Sequence, residues 1–425
     1  MQLLISPIGQ LATLAGVVAK DGIGIGWDDL GMIENGALLI ENGRILYAGP
    51  AADAPEPAKK VWRLDAGDLV AQPGFVDPHT HPCWVGSRHM EFTMRAEGAT
   101  YQEINRAGGG IRSSMRQCRL ASEDELAIAT LRRLGRMQAY GVTALEAKSG
   151  YGLDTESELR QLRAIRRAGA ATHQLVRATF LGAHAIPPEF EGDSEGYTDL
   201  IVKEMLPRVA AEKLADFCDV FVEDGYFSPA QGRRILKKAA KLGLGLRLHA
   251  DEFVSLGGAE LAADLGAASA DHLMAVSRAG IAALAKAGVT ATLLPATTVF
   301  LGQTNFAPAR QLLDAGVRVA LSTDHNPGSS HTENLQLVLT LACTYLKMTI
   351  PEALAGVTYN AARSLLIHEE TGALLPGRRA DVTLFNVPDL RAVPYHLAVS
   401  DLCYIVVNGN LYEAPPALAL PVAEK

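Results

Sequence analysis

Cysteine is sparse in this 425-residue chain: Cys83, Cys118, Cys218, Cys343 and Cys403 stand singly, odd in number, with no C-x-x-C pair. That argues against a disulfide framework and against a zinc site built from cysteine alone. No apolar run reaches the ~18 residues of a membrane helix, and Met1–Val18 is apolar without the basic region that opens a secretory signal. The expected setting is therefore cytoplasmic, with no membrane partner. Basic charge is also in short supply, since 39 Lys and Arg against 47 Asp and Glu leave a net charge of −8. A nucleic-acid or anionic-membrane surface is not expected from such a balance. Nor is there a Gly-rich phosphate turn after a strand; Gly22-x-Gly24-x-Gly26 comes closest but opens no helix. With 48% apolar and only 20% charged residues, disorder is excluded as well, and there is ample chain for a large core.

Both ends of the chain have the same texture. Ala37–Gly49, Ala380–Phe385 and Tyr404–Tyr412 are short β-type runs punctuated by Asn-Gly and Gly, the pattern of hairpins. Neither end can bury a core alone, so the two are expected to pair into one small composite β-sandwich domain, residues 1–68 plus 372–425. Between them an amphipathic helix, a glycine and a short apolar strand recur, with Gly141, Gly243, Gly266, Gly288 and Gly316 at helix C-cap positions. Eight strands are read in this region: Leu69–Val76, Val142–Ala147, Leu175–Leu181, Phe217–Val222, Gly245–Leu248, Ala268–Ala270, Val289–Leu294 and Val317–Ser322. Strands alternating with helices pair in parallel, and eight of them close a barrel. The fold class is thus α/β, a (β/α)8 TIM-type barrel over residues 69–371 carrying the terminal β domain.

Active sites of such barrels gather at the carboxyl ends of the strands, so the residues found there are informative. Strand one runs into Asp77-Pro-His79-Thr-His81, strand two ends at Lys148, strand three at His184 and strand four at Glu223-Asp224. Strand five ends at His249-Ala-Asp251-Glu252, strand six at Asp271-His272 and strand eight at Asp324-His325-Asn326; strand seven offers nothing ionisable. His79 and His81 are two apart, so on an extended chain both imidazoles face one way and can share a cation. His249 and Asp324 can add a third nitrogen and an oxygen, leaving room for water. Three histidines and a carboxylate suit Zn²⁺, Fe²⁺ or a similar ion, which acts as a Lewis acid and lowers the pKa of bound water toward ~7.

These strand ends, with Gly74-Phe-Val-Asp-Pro-His-Thr-His81, resemble the amidohydrolase superfamily of metal-dependent barrels. The finer text resembles the branch of that superfamily that opens an imidazolone ring in histidine degradation. It includes Gly98-Ala-Thr-Tyr-Gln-Glu-Ile-Asn-Arg-Ala-Gly-Gly-Gly-Ile-Arg-Ser113, Glu146-Ala-Lys-Ser-Gly-Tyr-Gly-Leu153, Phe180–Pro188, Leu256–Ala263 and Ser322–Ser329, and spans essentially the whole chain. The resemblance implies one Zn²⁺ or Fe ion per subunit on His79, His81, His249 and Asp324, and suggests a homodimer. It further implies a small anionic heterocyclic substrate, 4-imidazolone-5-propanoate, met by Arg88, Tyr151, His184 and Glu252, with Asn326, Gly328 and Ser329 lining the product's place.

In the chemistry so implied, activated water attacks the ring carbonyl, Asp324 takes its proton, His272 steadies the developing oxyanion, and Glu252 contacts a ring nitrogen and helps move the proton to it. The product is N-formimino-L-glutamate. Arg88, seven residues beyond His81, is placed to offer bidentate hydrogen bonds to the propanoate. Binuclear members of the superfamily bridge two metals through a carbamylated lysine after strand four; Glu223-Asp224 stands there in this chain, so one metal is expected. A deaminase acting on an aminated heterocycle is the rival enzyme, and a scaffold that has lost its ligands is the rival outside enzymes. Many relatives carry Gln where this chain has Glu252, and His325 takes the place of a smaller or apolar residue and has no assigned role. Cys83 is read as redirected from the metal by Pro82, and residues 98–114 as a covering loop or a structural turn.

Overall fold

The computed structural model describes residues 2–99, 103 and 108–414, and their strands fall into two eight-stranded sheets. The first sheet is built by both ends of the chain. It holds β1 (Gln2–Ala12), β2 (Met32–Glu41), β3 (Arg44–Pro50), β4 (Val61–Leu64) and β5 (Val70–Pro73). The second holds β6 (Phe75–Asp77), β7 (Val142–Lys148), β8 (Leu175–Ala183), β9 (Phe217–Val222), β10 (Gly245–Ala250), β11 (Ser269–His272), β12 (Thr290–Leu293) and β13 (Val319–Leu321). The chain then returns to the first sheet with β14 (Val382–Phe385), β15 (Leu402–Val407) and β16 (Asn410–Glu413).

The terminal sheet is mixed, in the order β16-β15-β14-β5-β1-β2-β3 with β4 beside β1. Its apolar cluster joins the two ends of the chain directly, Leu3, Ile5 and Leu38 sharing it with Val382, Leu384 and Val406. One strand departs from the sequence reading. Leu69–Val76, read as a single barrel strand, is two: Val70–Pro73 pairs with β1 and β14, and only after Gly74 does Phe75–Asp77 enter the barrel. A continuous apolar run carries no mark of which of two sheets each half joins.

The second sheet is parallel throughout, in sequential order from β6 to β13. Helices between its strands begin and end where local chemistry dictates. Ser122 and Ser228 each cap a helix through the amide three residues on, while Glu125 and Gln231 answer the caps' own amides. Gly266 and Gly288 end theirs in the left-handed conformation. Along the strands the side chains alternate. Leu145, Val220 and Leu248 pack outward against the helices, each contributing roughly 1.5–3 kcal/mol by burial, whereas Glu146, Asp219 and Arg247 turn into the barrel and pair there.

β6 and β13 meet through side chains. Asp77 accepts from the Ser322 hydroxyl, the Thr323 amide (3.1 Å) and the Thr323 hydroxyl (2.6 Å), and Ser322 Oγ in turn accepts from the His79 amide at 2.9 Å. One step on, the His81 amide donates to the His325 carbonyl at 2.8 Å. This seam fixes the segments that carry His79, His81 and Asp324 side by side.

Candidate active site

At the carboxyl end of the barrel a cleft of about 820 Å³ opens, with His81, His249, His272 and Asp324 at its floor. Nearly all of this floor is withdrawn from solvent: His79 is 0% exposed, His81 and Asp324 2%, His249 and His272 3%. The donor atoms of His79, His81 and Asp324 lie within 4.8 Å of one another, and so do those of His79, His249 and His272. Five side chains from four separate strand ends therefore converge around His79.

The carboxylates beside two of the rings define which of their nitrogens face inward. His79 Nδ1 lies 2.7 Å from Asp271 Oδ2 and His249 Nδ1 lies 2.9 Å from Asp219 Oδ2. An ionised carboxylate only accepts, so both Nδ1 atoms carry the hydrogen and both Nε2 lone pairs point at the common centre. Burial, with nearby Lys148 and the neighbouring imidazoles adding to it, holds His79 well below the usual histidine range, and burial does the same to His81. They are neutral, as metal ligands must be. His79 Nε2 is buried without a hydrogen-bond partner in the protein, an orphan that a cation satisfies. His81 Nε2 and His79 Nε2 stand 3.4 and 3.6 Å from Asp324 Oδ1. The other oxygen, Asp324 Oδ2, accepts from Thr297 Oγ1 at 2.7 Å, which orients the carboxylate. The donor set thus fits a metal ion.

Asp324 (φ 51°) and His272 (φ 77°) both adopt the left-handed backbone region that side chains rarely enter. Strain of that kind costs on the order of 1–3 kcal/mol per residue and collects at functional sites. Burial pushes His272 down to about 3, so its ring is neutral, and its Nδ1 lies 3.6 Å from Glu252 Oε1. Burial pushes Glu252 in the opposite direction, well above the usual carboxylate range, with the charges of Asp324 and Glu223 adding to the effect.

The expected substrate-contacting residues line the same cleft. Tyr151 is 2% exposed, on a loop whose amides at Gly150, Gly152 and Leu153 all donate to the buried carboxylate of Glu158. His184 Nδ1 lies 2.9 Å from the Gly150 carbonyl. A carbonyl accepts, so Nδ1 carries the hydrogen and Nε2 is left as an acceptor. Arg88 is braced by Glu91, whose Oε2 accepts from its Nε and Nη2 at 2.9 and 2.7 Å. Its remaining terminus, Nη1, presses on Gly328, where an added Cβ would come within 2.1 Å of it. Asn326 turns its amide on its own loop, donating to Asp324 O and Ser329 Oγ and accepting from the amides of Gly328 and Ser329. It shapes the wall that Gly328 and Ser329 present.

Several contributors escaped the sequence reading. Thr297, just past β12, supplies the strand-seven contribution that no ionisable residue marked. Arg95 lines the cleft, donates to Gly328 O at 3.2 Å and stacks 5.2 Å over the Phe300 ring; its helix, His89–Ala96, carries no periodic signal that separates it from a surface helix. Asp219 lies inside the apolar run Phe217–Val222, and an acid in such a run was the available clue. Cys83 is buried, its thiol 3.6 Å from the Gln161 carbonyl, and it joins none of the donor clusters among the described residues. His325 faces away from Asp324, toward Trp84, Thr332 and Glu333, and serves packing. Of the expected covering segment, residues 100–102 and 104–107 lie outside the described residues; Gly110 precedes the helix Ile111–Leu120.

Comparison with known proteins shows the family. The amidohydrolase family's sequence model matches residues 70–412. An imidazolonepropionase from Shouchella clausii (strain KSM-K16) is 45% identical over 406 residues, which are 95% of this chain and 91% of that protein. One from Cupriavidus pinatubonensis (strain JMP 134 / LMG 1197) is 46% identical over 382 residues, 90% of each. Among solved structures, an atrazine chlorohydrolase from Arthrobacter aurescens TC1 complexed with zinc superposes with a TM-score of 0.71 at 18% identity, covering 98% of this chain and 97% of that one. An adenosine deaminase from Xanthomonas campestris with bound zinc gives a TM-score of 0.68 at 16% identity, over 96% and 92% of the two chains. Those two share the fold, and the closer sequence relatives place the chain within it: it belongs to the amidohydrolase family, among the imidazolonepropionases.

Proposed function

We infer that the chain is the hydrolase that opens 4-imidazolone-5-propanoate to N-formimino-L-glutamate, with one Zn²⁺ or Fe ion held by His79, His81, His249 and Asp324. The observation that carries the metal assignment is the orphaned, buried Nε2 of His79 facing the oxygen of Asp324, beside the likewise neutral ring of His81. When bound, such an ion polarises water and the ring carbonyl. Lys148, the strand-end lysine nearest to a carbamate bridge, is engaged by Glu146 and Asp219 at 2.7 and 2.8 Å, which supports a single ion.

The chain's own groups divide the remaining work. Asp324, oriented by Thr297, accepts the proton of the attacking water. A C–O bond forms at the ring carbonyl carbon, and neutral His272 donates a hydrogen bond to the oxygen as charge develops. Glu252, kept in its proton-holding form by burial, gives a proton to the nitrogen as the C–N bond breaks. Arg88, Tyr151 and His184 hold the propanoate and the ring, and Gly328 and Ser329 form the wall beside them. We further propose a homodimer in the cytoplasm, which light scattering on purified protein and cell fractionation test.

The decisive assay follows loss of imidazolone absorbance, with product identified by mass, on metal-analysed protein. Full activity that disappears in Asp324→Asn is expected. A variant that keeps both metal and full rate would overturn the role of Asp324, and ammonia release from an aminated heterocycle without ring opening would replace the reading by deamination.

A further inference from the structure

Barrel interiors of this type are ordinarily filled by branched apolar side chains. Beneath the donor cluster this barrel holds a continuous chain of acids and bases instead. Asp271 Oδ2 accepts from Arg247 Nη2 at 3.0 Å, Arg247 Nε lies 3.0 Å from Glu146 Oε1, Glu146 Oε2 lies 2.7 Å from Lys148 Nζ, and Lys148 Nζ donates to Asp219 Oδ2 at 2.8 Å. All five side chains are 0% exposed. The chain begins at the carboxylate that holds His79 and ends at the carboxylate that holds His249. It therefore links two histidines on different strands, β10 and the segment after β6, through strands β7, β9 and β11.

We propose that Arg247, Glu146 and Lys148 are positioning residues: a buried ionic brace that fixes both Nδ1–H donors, and so aims both Nε2 lone pairs at one point before any ion arrives. The inference rests on the metal reading above and deepens it. Two features of the chain support it. Each member is fixed at more than one point: Arg247 also donates to Ser364 O and Pro78 O at 2.7 and 2.8 Å, Glu146 accepts from the Thr179 hydroxyl, and Asp219 Oδ1 accepts from the His249 amide at 3.1 Å. The charges also balance. Three acids against two bases leave one formal negative charge, which with Asp324 matches a dication. A brace of this kind costs desolvation that an apolar core avoids, and a barrel needing only a packed interior has no use for it.

Lys148→Met separates this role from simple electrostatics. Removing a cation near a dication site tightens the ion if charge alone matters, whereas a broken brace frees Asp219 and lets the His249 ring turn or change tautomer. The expected result is a zinc dissociation constant raised roughly 10- to 100-fold, the usual cost of losing a group that orients a ligand, measured by chelator competition. Ile235→Ala, a fully buried apolar side chain in the helix Pro229–Lys241 with no polar atom to join the ionic chain, is the control for destabilisation: it lowers the melting temperature and leaves zinc affinity within about twofold of wild type. Should Lys148→Met not fold, the nearly isosteric Glu146→Gln carries the same expectation. Unchanged or tighter zinc binding in the variant, with wild type binding normally, overturns the brace. A wild-type protein that binds no divalent ion overturns the metal reading itself.

Discussion

Gly328→Ala is the most economical probe of how the substrate is held. Gly328 is not in the left-handed region, so the backbone there is open to alanine; the nearest obstacle is the guanidinium of Arg88, whose Nη1 would lie 2.1 Å from the new methyl. The atom that must move is the far end of a long side chain. Folding should therefore be nearly indifferent, and Gly→Ala at a compatible site even gains ~0.4–1 kcal/mol through the unfolded state. Substrate binding should not be indifferent. Arg88 would have to swing away from the wall while Glu91 still grips its Nε and Nη2, and a charge-assisted hydrogen bond lost to the propanoate is worth ~1.5–3 kcal/mol. KM should rise roughly ten- to a hundredfold with kcat little changed, since the contact is made alike in ground and transition states. Steady-state kinetics on Gly328→Ala, Arg88→Ala and the double variant make the test. The double should be no worse than Arg88→Ala alone, because the methyl acts only through the arginine. An unchanged KM in Gly328→Ala, or additive losses in the double, would refute the reasoning.

Two further expectations concern the fold beneath the site. His272 and His325 are both pushed down to about 3 by burial, so the folded chain refuses protons that the unfolded chain accepts below ~6.5. Stability is thus present above that pH and falls as the pH drops through it, by roughly 1.4 kcal/mol for each group between pH 7.5 and 5.5. Urea unfolding of chelated protein at the two pH values would show a flat profile if this is wrong. Glu158→Gln exchanges one of the two buried carboxylate oxygens that accept from the amides of Gly150, Gly152 and Leu153 for an NH2 donor and removes the charge. A loss of roughly 1–3 kcal/mol, together with a raised KM as the Tyr151 loop loosens, is expected; a KM that stays at the wild-type value would detach Tyr151 from substrate binding.

The barrel was legible because its signals are local and repeat. A glycine followed at once by an apolar run marks five of the βα units, at Gly141, Gly243, Gly266, Gly288 and Gly316, and the observed strands fall on the expected runs except where Leu69–Val76 divides between two sheets. The candidate ligands and His272 were legible for the same reason: a strand end is identifiable from its own neighbours, and His79, His81, His249, His272 and Asp324 all stand at one. What escaped depends on contacts across the barrel. Nothing near Asp219 announces His249, thirty residues on, as the partner of its carboxylate. Arg95 and Thr297 belong to short helices whose direction is set by the loops that carry them. The alternation of Glu146 with Lys148, and of Arg247 with His249, was in plain view as a strand pattern with the polar side inward. Only the folded barrel shows that these inward sides meet.

Capture of an anion by a chain of net charge −8 then has a local explanation. Arg88 and Arg95 stand together at the cleft wall, where burial and then the charge of Arg88 disfavour the Arg95 cation. Glu91 already satisfies much of Arg88, so the site presents a moderated cation. Ring opening makes a second carboxylate from the cyclic amide, and the product therefore carries one more acid group than the substrate. An unmoderated pair of arginines would hold that product more tightly than the substrate and slow its release. Binding energy spent equally on ground and transition states lowers KM without raising kcat. A guanidinium shared between Glu91 and the propanoate steers the substrate into place, leaving the rate to the groups that act at the ring carbonyl.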